Sequence, residues 1–464
     1  MSARLNRRRF LQVSSAAAGL GYLYTGDAVS VVRAAGANDR LKVAGVGVGG
    51  KGSSDIDQAG NLMEVVALCD IDDNHLAPKA KKWPEAKTFF DFRKMYDEAG
   101  KSFDAIVVST PDHTHALAAA LGIRMGKHAY VQKPLTRTVF EAHLLRKLAK
   151  EHKVCTQMGN QGTSENGLRK SVELVQAGVL GPVKEVHVWT NRPIWPQAPE
   201  VTADKPPKEA EVPKHVHWDE FLGPVASRPY AAKIHPFAWR GYWDLGTGAI
   251  GDMACHTANM AFMALKLGHP SKVSAEATDV NSLTCPSSAH VTLSFPSRGD
   301  LPPVTLHWYE GKKDGKKLTP PDALVERAVK LAGGKGLSNS GSILVGEKGI
   351  AYSPNDYGAQ VFFETGEKAD GSTKPEKLAV NGKSDQGQKA EWVEAIKAGK
   401  PELALSNFDY ASFLTAAFLL GNVAIRTGKA FEFDGEAVAA KDCPEAAQFI
   451  KYEYRKGWDM LERS

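Results

Sequence analysis

Gly47-Val48-Gly49-Gly50-Lys51-Gly52 follows directly on Leu41-Lys42-Val43-Ala44-Gly45-Val46, a run that reads as a buried parallel strand. Glycines in a turn of this kind have separate uses. Gly47 makes the tight turn, Gly49 lets the backbone approach a pyrophosphate, and Gly52 permits close helix–sheet packing with the phosphate at the helix N-terminus. An overlapping register through Gly45, Gly47 and Gly50 fits less well, because the later one leaves the strand its full length before the turn. Asp70 closes the next strand about 20 residues further on, where a carboxylate takes ribose hydroxyls and repels a 2′-phosphate. No Arg follows it immediately, so the pattern predicts a dinucleotide site that prefers NAD to NADP.

Other reactive residue types fall at strand ends. Ser109-Thr110-Pro111-Asp112-His113-Thr114-His115 ends a third strand, at the edge where open α/β sheets bind ligands. Thr110, Pro111, His113 and His115 are therefore expected around the cofactor, the two histidines at the pocket rim. Tyr130-Val131-Gln132-Lys133-Pro134-Leu135 ends a fourth strand and adds Lys133 and Pro134 to that set. Downstream, Gly246-Thr247-Gly248-Ala249-Ile250-Gly251-Asp252-Met253-Ala254-Cys255-His256 would put Asp252 and His256 on one face of a helix. The segment just before it holds Trp239, Arg240, Trp243 and Asp244, and Trp189, Arg192, Trp195 and Tyr242 lie nearby in kind. Aromatic faces beside polar groups suit sugar rings, so the first four are the substrate candidates.

These four motifs, in this order, resemble the Gfo/Idh/MocA family of oxidoreductases, and the resemblance covers nearly everything after residue 40. It implies a Rossmann domain followed by an open-sheet α/β domain, with sugars, polyols and related compounds as substrates. It also implies that Lys133, Asp252 and His256 form the catalytic set, and that the Lys133–Pro134 bond is cis. The chemistry agrees. Oxidising a secondary alcohol needs a base for the hydroxyl proton, which His256 can supply near neutral pH. Asp252 could orient that histidine or stabilise its charged form, and Lys133 could favour the anionic form of the reacting oxygen. The family pattern has Glu where this chain has Gln132, which removes one ion partner of Lys133.

The elements that must carry these residues alternate between strand and helix up to about residue 160 and then lose that regularity. The fold expected is α/β: a doubly wound parallel sheet over residues 38–160, then an α+β domain over 161–464 with a large open mixed or antiparallel sheet. Late helices are expected at 388–398 and 410–427, and a Gly/Lys-rich surface insertion at 310–340. Net charge is +5, and Arg4, Arg7, Arg8 and Arg9 supply four of those charges, so the excess is not a nucleic-acid groove. The five cysteines have no ligand spacing and read as buried thiols; His215, His217 and His235 have none either, and no metal is expected.

Asn6-Arg7-Arg8-Arg9-Phe10-Leu11-Gln12 resembles the bacterial twin-arginine export motif, with a weakly apolar stretch behind it that is short for a bilayer span. Residues 1–37 are read as that signal, giving a periplasmic protein, or a cytoplasmic one if the signal is not used. A homo-oligomer without stable membrane insertion is expected, acting on a carbohydrate or polyol by hydride transfer to the nicotinamide. Two other functions remain open: an NAD-using glycosidase or lyase working by oxidation, elimination and reduction, and a catalytically silent NAD-binding protein.

Overall fold

The computed structural model describes residues 40–461, so the segment read as an export signal lies outside the described residues. The first sheet is built from β1 (Lys42–Val46), β2 (Glu64–Cys69), β3 (Lys87–Phe89), β4 (Ala105–Val108), β5 (His128–Gln132) and β6 (Thr156–Gly159), in the spatial order β3-β2-β1-β4-β5-β6. Every pairing is parallel. The connecting helices are α1 (Gly50–Gly60), α2 (Asp73–Lys82), α3 (Phe92–Ala99), α4 (Asp112–Arg124) and α5 (Val139–Glu151). β4 is buried along its whole length, as a parallel strand covered on both faces should be. Helix starts are chemically marked: Asp72 and Asp91 cap α2 and α3, and Thr138 with Glu141 forms a full capping box on α5.

After α6 (Asn166–Gln176) the chain enters a mixed sheet. Its strands are β7 (Val183–Trp189), β8 (Lys272–Thr278), β9 (Ser288–Phe295), β10 (Val304–Lys313), β11 (Lys316–Lys317), β12 (Gly341–Gly346), β13 (Gly349–Ser353), β14 (Val361–Phe363), β15 (Lys368–Ala369), β16 (Phe431–Asp434) and β17 (Ala439–Ala440). The order is β15-β14-β13-β12-β7-β10-β9-β8-β16-β17, with β11 folded back on β10. Only β7 and β10 run parallel. Between β7 and β8 stand α7 (Gly248–Thr257) and α8 (Asn259–Ala264); α9 (Ser384–Ala398) and α10 (Phe408–Thr427) come late. By length and composition α10 could cross a bilayer, but it is a core helix here, with Leu414, Phe418 and Leu420 fully buried among α5, α7 and β8.

One late helix belongs to the first sheet. Trp392, Val393, Ala395 and Ile396 of α9 share a core with Val43, Ile56, Val65, Leu68 and Val107. The same helix buries Lys389, whose ammonium lies 2.8 Å from the Asp55 carboxylate of α1, both side chains being fully enclosed. A buried pair adds little net stability, but removing one charge strands the other in a poorly solvating interior. Asp55→Asn should therefore cost about 3–5 kcal/mol, read as a lowered urea midpoint. Adding Lys389→Met should restore most of it; a double variant no more stable than the single one would show that the pair is not what holds α9 to the sheet.

Candidate active site

The turn between β1 and α1 is made as its glycines require. Gly47 has φ +76°, and a Cβ there would meet the Ser109 carbonyl oxygen at 2.7 Å. A Cβ on Gly52 would lie 2.0 Å from the Gly47 carbonyl oxygen, so Gly52 acts by packing rather than by lining a pocket. Val48 N–H and Gly49 N–H donate to one oxygen of Asp70, at 2.7 and 3.0 Å. The carboxylate that ends β2 thus also fixes the loop.

A cleft of about 640 Å³ runs from this loop across both sheets' edges. Gly47, Gly49, Gly50, Lys51, Asp70, Thr110 and Pro111 line it together with Lys133, Asp252, His256, Arg192, Trp239 and Arg240. The glycine cradle, the helix N-terminus behind it and Asp70 fit a dinucleotide.

Lys133 leaves β5 through a cis bond to Pro134 and reaches α7, where its ammonium donates to the Asp252 carboxylate at 2.6 Å and to the Asp252 carbonyl at 3.1 Å. Arg240 Nε is 3.3 Å and Arg192 Nε 3.7 Å from the same carboxylate. Burial alone would raise the Asp252 pKa; Lys133 and Arg240 outweigh it and hold the group well below the carboxylate range. Asp252 is therefore an anchor, not a proton acceptor. Arg240 in turn donates to the fully buried Asp112 at 2.9 and 3.0 Å, and Asp112 also accepts from Thr247 at 2.6 Å, directly before α7. Three cations face two carboxylates, which leaves positive potential for an oxygen that gains negative charge.

His256 is buried in the cleft wall, one turn beyond Asp252, with the Tyr357 ring edge-on at 5.1 Å. Burial pushes its pKa well below 6.5, and the Lys133 charge pushes it further than Asp252 pulls it back. Among the described residues its Nδ1 has no hydrogen-bond partner. The imidazole is neutral at pH 7, and no protein donor occupies that nitrogen.

Gln132, where the family pattern has Glu, donates its amide to Asp55 at 2.8 Å, and its carbonyl accepts from Lys133 N–H at 3.3 Å. The Asp55 carboxylate is itself paired with Lys389 and Lys51, each at 2.8 Å.

Several expected residues lie elsewhere. His113 is fully buried, with its ring nitrogens on the Leu245 and Phe221 carbonyls, and burial pushes its pKa down to about 3. His115 is likewise enclosed, bridging the Thr110 and Pro134 carbonyls. His115 braces the ends of β4 and β5, His113 ties α4 to the segments carrying Phe221 and Leu245, and Pro134 serves as an acceptor rather than as part of the lining. Trp243 donates to the Asn281 carbonyl, and Asp244 pairs with Arg228 at 3.0 Å; both line a separate small cavity. Trp189 and Trp195 are core residues. Gln161 and Tyr357, hydrogen-bonded at 3.1 Å, line the cleft without any motif to announce them.

Residues 41–160 match the model of the oxidoreductase family, NAD-binding Rossmann fold, and residues 165–296 that of its C-terminal alpha/beta domain. The chain belongs to the Gfo/Idh/MocA oxidoreductase family. A glycosyl hydrolase family 109 protein of Shewanella sp. (strain W3-18-1) is 29% identical over 153 residues, 31% of this chain, and the match spans about a third (33%) of that relative. The aldose-aldose oxidoreductase of Caulobacter crescentus, solved with glycerol, is similar in fold with TM-score 0.56 and 15% identity, over 85% of this chain and 100% of that one. The WlbA dehydrogenase of Bordetella pertussis, solved with NADH and UDP-GlcNAcA, gives 0.56 and 16%, over 85% and 98%.

The depressed pKa of His256 sets a pH expectation. Its basic form prevails at and above pH 6.5, so oxidation should fall only as pH drops through a value well below that. The acid limb of kcat/KM should therefore lie below pH 6.5, and a limb at 6.5 or above would assign the base to another group. Lys133→Met and His256→Ala should each lower kcat at least about a hundredfold. Steady-state rates with unchanged dinucleotide titration would check this.

Proposed function

We propose that this protein oxidises a secondary alcohol carbon of a sugar, polyol or glycoside with NAD, held in the cleft between the glycine turn and α7. The observation that carries the reading is the convergence of Lys133, Asp252 and His256 in the same cleft that Gly47, Gly49, Gly50 and Lys51 line. When bound, NAD accepts the hydride; Gly47, Gly49, Gly50 and Asp70 would hold it. His256 takes the hydroxyl proton onto its neutral imidazole. Lys133, fixed by Asp252, steadies the negative charge that develops on the oxygen, and Arg240 and Arg192 add to that field. Trp239, with the Arg240 guanidinium 4.3 Å over its ring, offers an apolar face beside a polar edge to a pyranose or cyclitol. Asp70 favours NAD over NADP by repelling a 2′-phosphate.

Export by the twin-arginine route would carry the folded protein, cofactor included, to a compartment with little free NAD. The cycle we infer there is redox-neutral: one substrate is oxidised and a second reduced, or one is oxidised, cleaved and reduced again. The names of two similar proteins favour such cycles, an aldose-aldose oxidoreductase in the first form and a family 109 glycosyl hydrolase in the second. A neutral cycle needs a cofactor that stays bound. Purified protein, dialysed free of nucleotide and then denatured, should release one dinucleotide per chain and before denaturation should turn over a sugar panel, read by product mass, without added NAD. Protein that releases none and needs stoichiometric NAD would sink the neutral cycle; absence of any turnover with NAD supplied would sink the oxidoreductase reading.

A further inference from the structure

The spacing of histidines in the sequence gave no reason to expect a metal, yet the fold gathers four of them against one helix start. Asp72 caps α2 and His75 follows in its first turn, while His235 arrives from the segment 213–237 far downstream. Donor atoms of Asp72, His75 and His235 all lie within 4.8 Å of one another. His235 Nε2 is 2.8 Å from Asp72 Oδ2, and the His75 and His235 rings stand edge to face at 5.7 Å. His215 Nε2 is 4.0 Å from Asp72 Oδ1, and His217 is 3.3 Å from Asp73.

Three details separate this group from a chance cluster. The two Asp72 oxygens have different work: Oδ1 accepts from Asn74 N–H at 2.9 Å as the helix cap, while Oδ2 meets only the His235 Nε2 that would itself be a ligand. His75 Nδ1 lies 3.7 Å from Asp70 Oδ1, so a second carboxylate stands beside the ring and adds negative potential for a cation. The donors also come from two separate parts of the chain already laid together by backbone hydrogen bonds: Asp73 N–H to the His215 carbonyl at 2.9 Å, and His217 N–H to the Ile71 carbonyl at 2.8 Å.

We propose that Asp72, His75 and His235 form a binding site for a borderline divalent cation of the zinc type, which ties the 213–237 segment to the cofactor domain. Two imidazoles and one carboxylate suit zinc, with a fourth position open to water. Zinc–nitrogen distances of about 2.0–2.1 Å put tetrahedral ligands roughly 3.3 Å apart, so modest side-chain rotations bring the three donors in. The cation replaces the proton shared by His235 and Asp72. His75 and His235 line the same cleft as Asp70, so the ion sits in its wall on the Asp70 side.

The test uses the full chain, stripped with chelator and titrated with Zn²⁺ alone or Co²⁺ alone. One ion per chain is expected, with the visible bands of tetrahedral Co²⁺ and a raised melting temperature in Zn²⁺. His235→Gln should weaken binding at least about tenfold. Asp72→Asn should do the same while leaving α2 capped, because Asn caps as well as Asp. No stoichiometric ion, full-strength binding by both variants, or a sulfur-to-cobalt band pointing to cysteine would overturn the site.

Discussion

The ion pair between Lys133 and Asp252 joins the two halves of the molecule at the point where chemistry would occur. Lys133 comes from the end of a parallel strand and Asp252 from a helix of the second domain, and the contact is 2.6 Å long in a nearly closed environment. Neither residue could be buried alone, because an isolated charge in such a place is costly by several kcal/mol. The rest of the site follows from that constraint. Arg240 and Arg192 complete the surroundings of Asp252, Asp112 and Thr247 pin Arg240 and the start of α7, and burial together with the Lys133 charge keeps His256 neutral.

This arrangement divides labour between two groups that a sequence places on one helix face. Asp252 and His256 are one turn apart, but the carboxylate is committed to cations and the imidazole is left without a partner at Nδ1. The histidine can accept a proton because, among the described residues, none claims that nitrogen. The aspartate cannot, because removing its charge would leave Lys133 and Arg240 unbalanced. Net positive potential with a neutral base suits a step in which an oxygen becomes more negative as its proton departs.

The sequence carried the first sheet well, because its strands are buried runs and its turn glycines have steric duties that no other residue meets. Strands as short as β3, β14 and β15 left no periodic signal. At the site, Gly47, Gly49, Asp70, Thr110, Lys133, Asp252 and His256 were legible because each sits in a motif at a strand or helix end. His113 and His115 were misread for the same reason: position at a strand end does not tell which way a side chain turns, and both turn inward to satisfy carbonyls. Trp243 and Asp244 follow Trp239 and Arg240 closely, yet the chain turns after the short helix 238–241 and sends them to another cavity. Tyr357, Asp55 and Lys389 depend on contacts across hundreds of residues, which no local pattern encodes.

The packing of α9 against the first sheet has a consequence for how the molecule is made. Trp392 and Lys389 fill one face of a layer whose strands end before residue 160. On the ribosome, roughly 240 further residues emerge before that face can close, while the apolar side of α1 and its fully buried aspartate wait without their partners. The cover of the first sheet is therefore completed by a late segment of the chain. It reaches its final form only when the carboxyl-terminal quarter of the chain has been synthesised, and a nascent chain must be kept from aggregating until then.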